Sequence, residues 1–218
     1  MRIGLLECDH VDDRYTSIGG DYFDMFASLL PMADLVRYDV VNGEFPAKPD
    51  ECDGWVATGS RHSVYDDLDW IQRTGAFIEQ LHQAEAPFVG ICFGHQLLAH
   101  FTGGRTEKAA GWGVGAHDMT SGPPARLLYM HQDQVVALPT DSVVLGSTDH
   151  CPNGVIQVGA TMLGIQAHPE FPGEYVEALL RAREERIGHD LVERALASLD
   201  LPRDEPTAVE WMLRYLAS

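Results

Sequence analysis

The chain has 218 residues, of which 45% are hydrophobic and 22% are charged, and this length and composition predict a single water-soluble globular domain. Its 15 Lys and Arg residues against 33 Asp and Glu residues give a formal net charge of −18, which disfavours binding to the polyanionic nucleic acids. No apolar run approaches the ~20 residues of a membrane span, and the N-terminal stretch lacks the pattern of a secretory signal. We therefore expect one cytoplasmic domain, residues 1–218, that contacts neither nucleic acid nor membrane.

Short runs of apolar or β-branched residues bounded by turn residues predict strands in the first half of the chain. These runs cover residues 2–6, 34–40, 54–58 and 88–92, and helix-like patterns lie between them at 21–30 and 67–84. Strands that alternate with helices favour βαβ units. The sequence therefore predicts an α/β fold with an open, mostly parallel sheet and helices on both faces.

The pattern changes after residue 104. Five strand-like runs follow with no room for crossover helices, at 114–119, 126–130, 142–148, 154–158 and 162–168. Parallel neighbours need such crossovers, so we expect added antiparallel strands in this half. From residue 173 to 218 the pattern is helical, with breaks near 188–189 and 201–204.

Cysteine usage indicates reduced thiols. The cysteines are far apart and form no CxxC pair, which argues against a zinc ribbon and a disulfide framework; they are Cys8, Cys52, Cys92 and Cys151. An acidic loop at 9–13 could attract a divalent ion. Acidic loops are usually just solvated, and the sequence predicts no metal site.

Cys92 ends the apolar run 88–92, between two glycines. A nucleophile at a sharp strand-to-helix turn needs small residues two positions to either side, because the bend brings backbone close, and Gly90 and Gly94 meet that need. The helix that follows would direct its positive N-terminal end at the sulfur and favour the thiolate. The alternative is a buried thiol that only fills space, since free cysteine is among the most buried residue types.

A candidate base for Cys92 lies in the stretch MLGIQAHPEF, residues 162–171. Pro169 forces His168 into an extended conformation, which places Glu170 on the same side of the chain as His168. A carboxylate beside an imidazole fixes its tautomer and stabilises the imidazolium. HPE alone would fit a surface turn, but this strand and the Cys92 strand can open at the same carboxyl edge, where α/β sheets place their sites.

The predicted strand 54–58 runs into Gly59 and Ser60. A glycine at the carboxyl end of a strand lets backbone N–H groups approach a ligand closely. The N–H groups of Gly59 and Phe93 could then bind the oxyanion that forms when a thiolate attacks a carbonyl. By itself this signal is weak, because strand-Gly-Ser is a common turn.

With these three segments in order, the sequence resembles the class I glutamine amidotransferase family over about residues 1–185. The nucleophile motif GxCxGxQ is matched at positions 90–96, the HPE ending at 168–170, and the strand-Gly-Gly/Ser loop at 58–60. The resemblance implies a flavodoxin-like fold. It also implies that Cys92 is the nucleophile, His168 the base and Glu170 its orienting carboxylate, with Gly59 and Phe93 as oxyanion donors.

The same resemblance implies the contacts to the substrate. Gln96 would meet the α-amino and α-carboxylate end of a glutamyl group, and Ser60 lies beside the oxyanion loop. His131 and Gln132 stand where the family has another loop on the substrate side, although packing roles explain these two residues about as well. The segment 186–218 falls outside the resemblance, as a helical extension that could cover the sheet or form an oligomer or partner surface.

The reaction implied is hydrolysis of a γ-glutamyl amide through a γ-glutamyl thioester, with no metal or organic cofactor. Within the family the chain is similar to free-standing members, to the amidotransferase domain of GMP synthase and to γ-glutamyl peptidases. Three interpretations stay open: a self-sufficient γ-glutamyl hydrolase, a glutaminase subunit that supplies ammonia to a separate synthase chain, and a non-catalytic regulatory protein. The sequence leaves the natural substrate and the oligomeric state open.

Overall fold

The strand-like runs predicted in the first half of the chain are strands in the computed structural model, which describes all 218 residues. The strands are β1 (Arg2–Leu6), β2 (Asp34–Tyr38), β3 (Gly54–Ala57), β4 (Phe88–Ile91), β5 (Arg105–Asp118), β6 (Arg126–Ala137), β7 (Ser142–Gly146), β8 (Val155–Val158) and β9 (Met162–Ile165). The helices are α1 (Thr16–Gly19), α2 (Tyr22–Leu29), α3 (Asp69–Gln83), α4 (Phe93–Phe101), α5 (Gly173–Ala182), α6 (Glu184–Ile187), α7 (His189–Ser198) and α8 (Glu205–Leu216). None of these helices is long and apolar enough to cross a membrane.

Seven strands form the central sheet, in the order β2-β1-β3-β4-β9-β8-β7. The five strands from β2 to β9 run parallel, whereas β8 and β7 pair antiparallel at the far side. The two remaining strands, β5 and β6, form a separate antiparallel ribbon. The predicted fold class, a mostly parallel sheet with added antiparallel strands, is confirmed.

Helices cover both faces of the sheet because its strands are apolar on both sides. Successive side chains of a strand point to opposite faces. Trp55 of β3 packs edge-on against Phe77 of α3, with ring centroids 4.9 Å apart, in a core that also contains side chains of α4. Its neighbour Val56 lies in a second core, which contains Phe26 of α2 and Met212 of α8.

The C-terminal helices pack onto the rest of the chain. Ala208, Met212 and Leu216, spaced four residues apart on α8, are all buried in the second core. Helix α7 lies against β5 so closely that a Cβ at Gly115 would be 2.8 Å from the Cα of Ala195. Of the roles considered for residues 186–218, covering the sheet is therefore the one these contacts support.

Several strand boundaries differ from those predicted. The strand predicted at 162–168 ends at Ile165, and the chain bends before His168, whose backbone N–H donates to the Leu128 carbonyl at 2.8 Å. The ribbon strands begin earlier or end later than predicted. Residues 105–108 of β5 are mostly charged and exposed, so they carry no apolar pattern, and pairing with β6 makes them a strand.

If α8 completes the core, Met212→Ala should lower the free energy of unfolding by about 2–5 kcal/mol, because it leaves a cavity at a fully buried position. Glu210→Ala, at an exposed position of the same helix, should change it by less than about 0.5 kcal/mol. Urea denaturation of the three proteins measures both. Equal stability of Met212→Ala and wild type would show that α8 is not docked in solution.

Candidate active site

Cys92 occupies the single residue between β4 and α4, and its backbone has φ 51° and ψ −97°. Positive φ is unfavourable for a side chain with a Cβ, and only one other non-glycine residue of the chain has it. The neighbours explain how the turn is possible. A Cβ at Gly90 would lie 2.3 Å from the carbonyl oxygen of Gly94, and a Cβ at Gly94 would lie 2.5 Å from that of Ala57. Both positions therefore require glycine, as the motif predicted.

Three predicted segments meet at the carboxyl edge of the sheet because β3, β4 and β9 are parallel neighbours. A Cβ at Gly59 would lie 2.9 Å from Cε1 of His168 and 3.8 Å from Cβ of Cys92, so the loop after β3 contacts both side chains. The N–H groups of Gly59 and Phe93 donate to no group of the protein. The structure thus leaves two backbone donors free beside the Cys92 sulfur.

His168 is held by two contacts. Its Nδ1 lies 2.7 Å from Oε1 of Glu170, and its ring stacks on Phe171 with centroids 3.9 Å apart and planes at 8°. Both His168 and Glu170 are buried. The carboxylate occupies Nδ1, so Nε2 is the ring nitrogen that remains for Cys92. The loop at Gly59 lies against both His168 and Cys92, so the structure brings the three side chains together.

The charges around His168 favour its protonated, positively charged imidazole. Burial by itself would lower the pKa of His168, because it penalises the imidazolium. The negative charges of Cys92 and Glu170, together with the hydrogen bond to the Glu170 carboxylate, outweigh burial and raise the pKa to about 10. The His168 ring is therefore charged near neutral pH.

The Cys92 side chain opens into a cavity of about 340 Å³ lined by 15 residues. The four predicted substrate contacts, Ser60, Gln96, His131 and Gln132, all line it. The structure thus brings these residues together with Cys92, although they come from three separate parts of the chain.

The hydrogen bonds of the Gln96 side chain determine which of its amide atoms can bind a ligand. Its Nε2 donates to the carbonyl of Asp133 at 2.9 Å and to Oε1 of Gln166 at 3.0 Å. These two acceptors fix the orientation of the amide, and Oε1 is the atom left to accept from a ligand. Gln96 can therefore meet an ammonium group, whereas its Nε2 is already used within the protein and is not free for a carboxylate.

The other predicted contacts differ in how far their polar atoms are already hydrogen-bonded within the protein. His131 is buried, its Nδ1 lies 3.0 Å from the carbonyl of Asp133, and its Nε2 has no partner in the protein. Burial lowers the pKa of His131 to about 3, so this imidazole is neutral. Gln132 donates from Nε2 to the Ala109 carbonyl at 3.3 Å, and Ser60 accepts at Oγ from the His62 N–H at 3.2 Å.

Positive groups are expected to meet the α-carboxylate of a glutamyl substrate, but the sequence did not identify the cations of the cavity. Four of its lining residues are cations, which are Arg61, Lys108, Arg183 and Arg186. Arg61 directly follows the predicted Gly59–Ser60 loop. The other three cations lie far from the motifs along the chain, and no periodicity or motif marks them.

One cluster outside the cavity has the composition of a metal site. Glu7, His10 and Asp21 bring ligand atoms within 4.8 Å of one another. The Nε of Arg37 lies 2.5 Å from Oε2 of Glu7, and Nδ1 of His10 lies 2.7 Å from Oδ2 of Asp21. The guanidinium already neutralises the buried carboxylate, so the cluster is an ion-pair network.

The elevated pKa of His168 can be tested through its two charged neighbours. In Glu170→Gln, and separately in Cys92→Ala, the pKa of His168 should fall by about one pH unit or more, because each variant removes an anion that favours the imidazolium. Ring nitrogen shifts in NMR spectra recorded against pH report the midpoint. His189, whose pKa is raised by Glu184 outside the cavity, is the internal control.

The same pKa has a consequence for stability. The folded-state pKa of His168 lies above the ordinary histidine value of about 6.5. The imidazolium therefore stabilises the fold fully below pH ~6.5, and this contribution disappears as pH rises through the folded-state pKa.

In the NMR titration, a His168 midpoint that is the same in wild type, Glu170→Gln and Cys92→Ala would contradict the geometry.

Comparison with known proteins gives a consistent result. The model of the family described as glutamine amidotransferase class-I matches residues 13–181. Gamma-glutamyl peptidase 5 of Arabidopsis thaliana is 29% identical over 216 residues, which cover 88% of this chain and 84% of that protein. The glutamine-hydrolyzing GMP synthase of Bacillus pumilus is 32% identical over 142 residues, which cover 59% of this chain but 26% of the synthase.

Solved structures agree on the fold. The crystal structure of a glutamine amidotransferase from Thermotoga maritima superposes with a TM-score of 0.75 at 20% sequence identity, over 100% of this chain and 96% of that one. The resemblance seen in the sequence is confirmed. Because the family model spans well over half of the 218 residues, this protein belongs to the class I glutamine amidotransferase family.

Proposed function

We propose that this protein hydrolyses the amide bond of a γ-glutamyl group by way of a γ-glutamyl thioester on Cys92. One observation carries the proposal: Cys92 stands at a strained turn at the edge of the cavity, and the Gly59 loop lies against both Cys92 and His168, whose ring Glu170 orients from a distance of 2.7 Å. A nucleophile, a base and an orienting carboxylate in this order are the arrangement that acyl transfer requires. The likeness to a γ-glutamyl peptidase supports the choice of acyl group.

The first half of the reaction forms the thioester. The Cys92 thiolate attacks the γ-carbonyl carbon, and the carbonyl oxygen becomes an oxyanion that accepts hydrogen bonds from the free N–H groups of Gly59 and Phe93. The raised pKa of His168 keeps its ring protonated, so it can give a proton to the departing nitrogen. The C–N bond breaks, the amine or ammonia leaves, and a neutral imidazole remains.

The second half releases glutamate. The oxygen of a water molecule attacks the thioester carbon while the neutral His168 takes a proton from that water. The C–S bond then breaks, the acyl group departs as a carboxylic acid that ionises, and the thiolate faces an imidazolium again. Throughout, Glu170 and the Phe171 ring hold the imidazole in place.

The residues nearest Cys92 suit the amino-acid end of a γ-glutamyl group. Only two methylene groups separate the γ-carbonyl from the α-carbon, so the α-ammonium and α-carboxylate must bind close to the sulfur. Gln96 Oε1 and the Asp133 carboxylate are acceptors for the ammonium. Ser60 and Arg61, which directly follow the Gly59 loop, are donors for the carboxylate, although Arg61 also pairs with Asp9 at 2.8 Å.

A second candidate is a glutaminase subunit that passes ammonia to a separate synthase chain. The likeness to part of a GMP synthase favours it. The two candidates share the chemistry at Cys92 and differ in whether the chain turns over by itself. We favour the self-sufficient hydrolase because the likeness to the peptidase extends over 84% of that relative.

Purified protein should release glutamate from at least one of glutamine, glutathione and a γ-glutamyl anilide. Cys92→Ala should lower the rate by at least about 10³-fold, because it removes the nucleophile. Cys52→Ala is the matched control, since Cys52 is the most accessible of the other cysteines and does not line the cavity. Assays of ammonia, amine and glutamate follow each product.

Two results would count against the proposal. Equal turnover by Cys92→Ala and wild type would remove Cys92 from the mechanism. No turnover of any of the three compounds by folded wild type would favour a glutaminase that needs its partner, or a non-catalytic role.

A further inference from the structure

The cavity beside Cys92 has the opposite charge to the protein as a whole. Four of its 15 lining residues are Lys or Arg, and Asp133 is the only carboxylate among them. The chain as a whole carries 33 acidic and 15 basic residues. A basic cavity in so acidic a protein attracts an anion locally while the rest of the surface repels it.

Three of the four cations are not neutralised within the protein. Arg61 is paired with Asp9, its Nε lying 2.8 Å from Oδ2. Lys108, Arg183 and Arg186 form no ion pair, although they line the same cavity. Their charges are therefore available to a ligand.

The acidic neighbours of Arg183 and Arg186 along the chain point elsewhere. Glu184 accepts a hydrogen bond from His189 at 2.6 Å, and it lines a different hollow together with Glu185. The short helix α6 thus presents Arg186 to the cavity and its carboxylates to the opposite side.

Packing holds Arg183 and Arg186 at the cavity. The guanidinium of Arg186 lies over the Trp112 ring, 5.5 Å from its centroid, and such stacking favours a defined position for the charge. Trp112 belongs to an irregularity of β5, where the pairing with β6 shifts between Lys108 and Gly113. Arg183 is half-buried at the junction of α5 and α6.

The position of Arg183 and Arg186 separates them from the glutamyl end. The acceptors and donors for that end come from α4, the loop after β3 and Asp133 of β6. Arg183 and Arg186 come instead from the α5–α6 junction, whereas Lys108 of β5 is the register partner of Asp133 and borders both regions. A substrate held by its γ-carbonyl at Cys92 has only one other part, which is the group attached to the amide nitrogen.

We propose that Lys108, Arg183 and Arg186 form a subsite for a carboxylate on the leaving group. This inference rests on the proposed function and narrows it to γ-glutamyl peptides or conjugates whose departing amine is an anion. Glutamine releases ammonia, which has no carboxylate, so glutamine gains nothing from the subsite. The three residues determine specificity and take no part in the bond-breaking steps.

A pair of matched substrates tests the subsite. γ-Glutamyl-glycine and γ-glutamyl-glycinamide share the glutamyl group and the scissile bond, and they differ in one carboxylate on the leaving group. Wild type should prefer the acid by about tenfold or more in kcat/KM, the size of one or more charge-assisted hydrogen bonds. The preference should shrink as ionic strength rises, because salt screens exposed charges.

Variants that each remove one positive charge show which residues cause the preference for the acid. Arg186→Gln, Arg183→Gln and Lys108→Gln should each reduce the acid-to-amide ratio of kcat/KM by about three- to tenfold, and Arg186→Lys should restore part of it. Lys108 and Arg186 are exposed, so these variants should fold. Arg194→Gln is the control, since Arg194 is exposed, forms no ion pair and lies outside the cavity.

Two kinetic results would overturn the subsite. An equal loss on the acid and the amide would place these cations at the glutamyl carboxylate. A ratio that stays constant across all variants would remove them from substrate binding.

A binding experiment separates this inference from the chemistry. Calorimetry with Cys92→Ala measures the affinity for the same two compounds without turnover. Tighter binding of the acid, lost when Arg186→Gln is added, supports the subsite even if wild type hydrolyses neither compound. Equal binding of acid and amide, or no binding of either, contradicts it.

Discussion

The close packing of helix α4 on the sheet is the constraint on which the rest of the site depends. Gly90 and Gly94 let backbone approach backbone where a Cβ would collide with a carbonyl oxygen. The chain can then turn within one residue, and Cys92 adopts φ 51°. A residue held in this region costs on the order of 1–3 kcal/mol. Burial of β4 and α4 on either side of the turn offsets that cost.

The second element of the site is the buried charge pair of His168 and Glu170, which side chains from several elements at this edge of the sheet hold in place. An isolated buried imidazolium would be strongly disfavoured. Glu170 compensates it at a distance of 2.7 Å, and the Phe171 ring packs flat on its face. Tyr22 stacks in turn on Phe171, with centroids 6.0 Å apart. The position of His168 thus depends on packing that extends to helix α2, far from the reacting atoms.

The charge of the cavity arises from parts of the chain that do not carry the family motif. The β5–β6 ribbon and the α5–α6 junction supply its unpaired cations, and α7 packs against the ribbon at Gly115. The sheet edge that carries Cys92 is thereby combined with a cationic wall. On the proposed function, the edge performs the bond cleavage and the wall selects the leaving group.

The sequence by itself determined the alternating strands and helices, the turn at Cys92 and the pairing of His168 with Glu170. Each of these depends on neighbours only a few residues apart: glycine spacing, strand periodicity and the residue before a proline. Only the tertiary structure decided that Gln96 keeps its acceptor for a ligand, and that Lys108, Arg183 and Arg186 share one cavity. Their proximity results from an irregular ribbon and from helix packing over long sequence separations, which leave no local pattern to read.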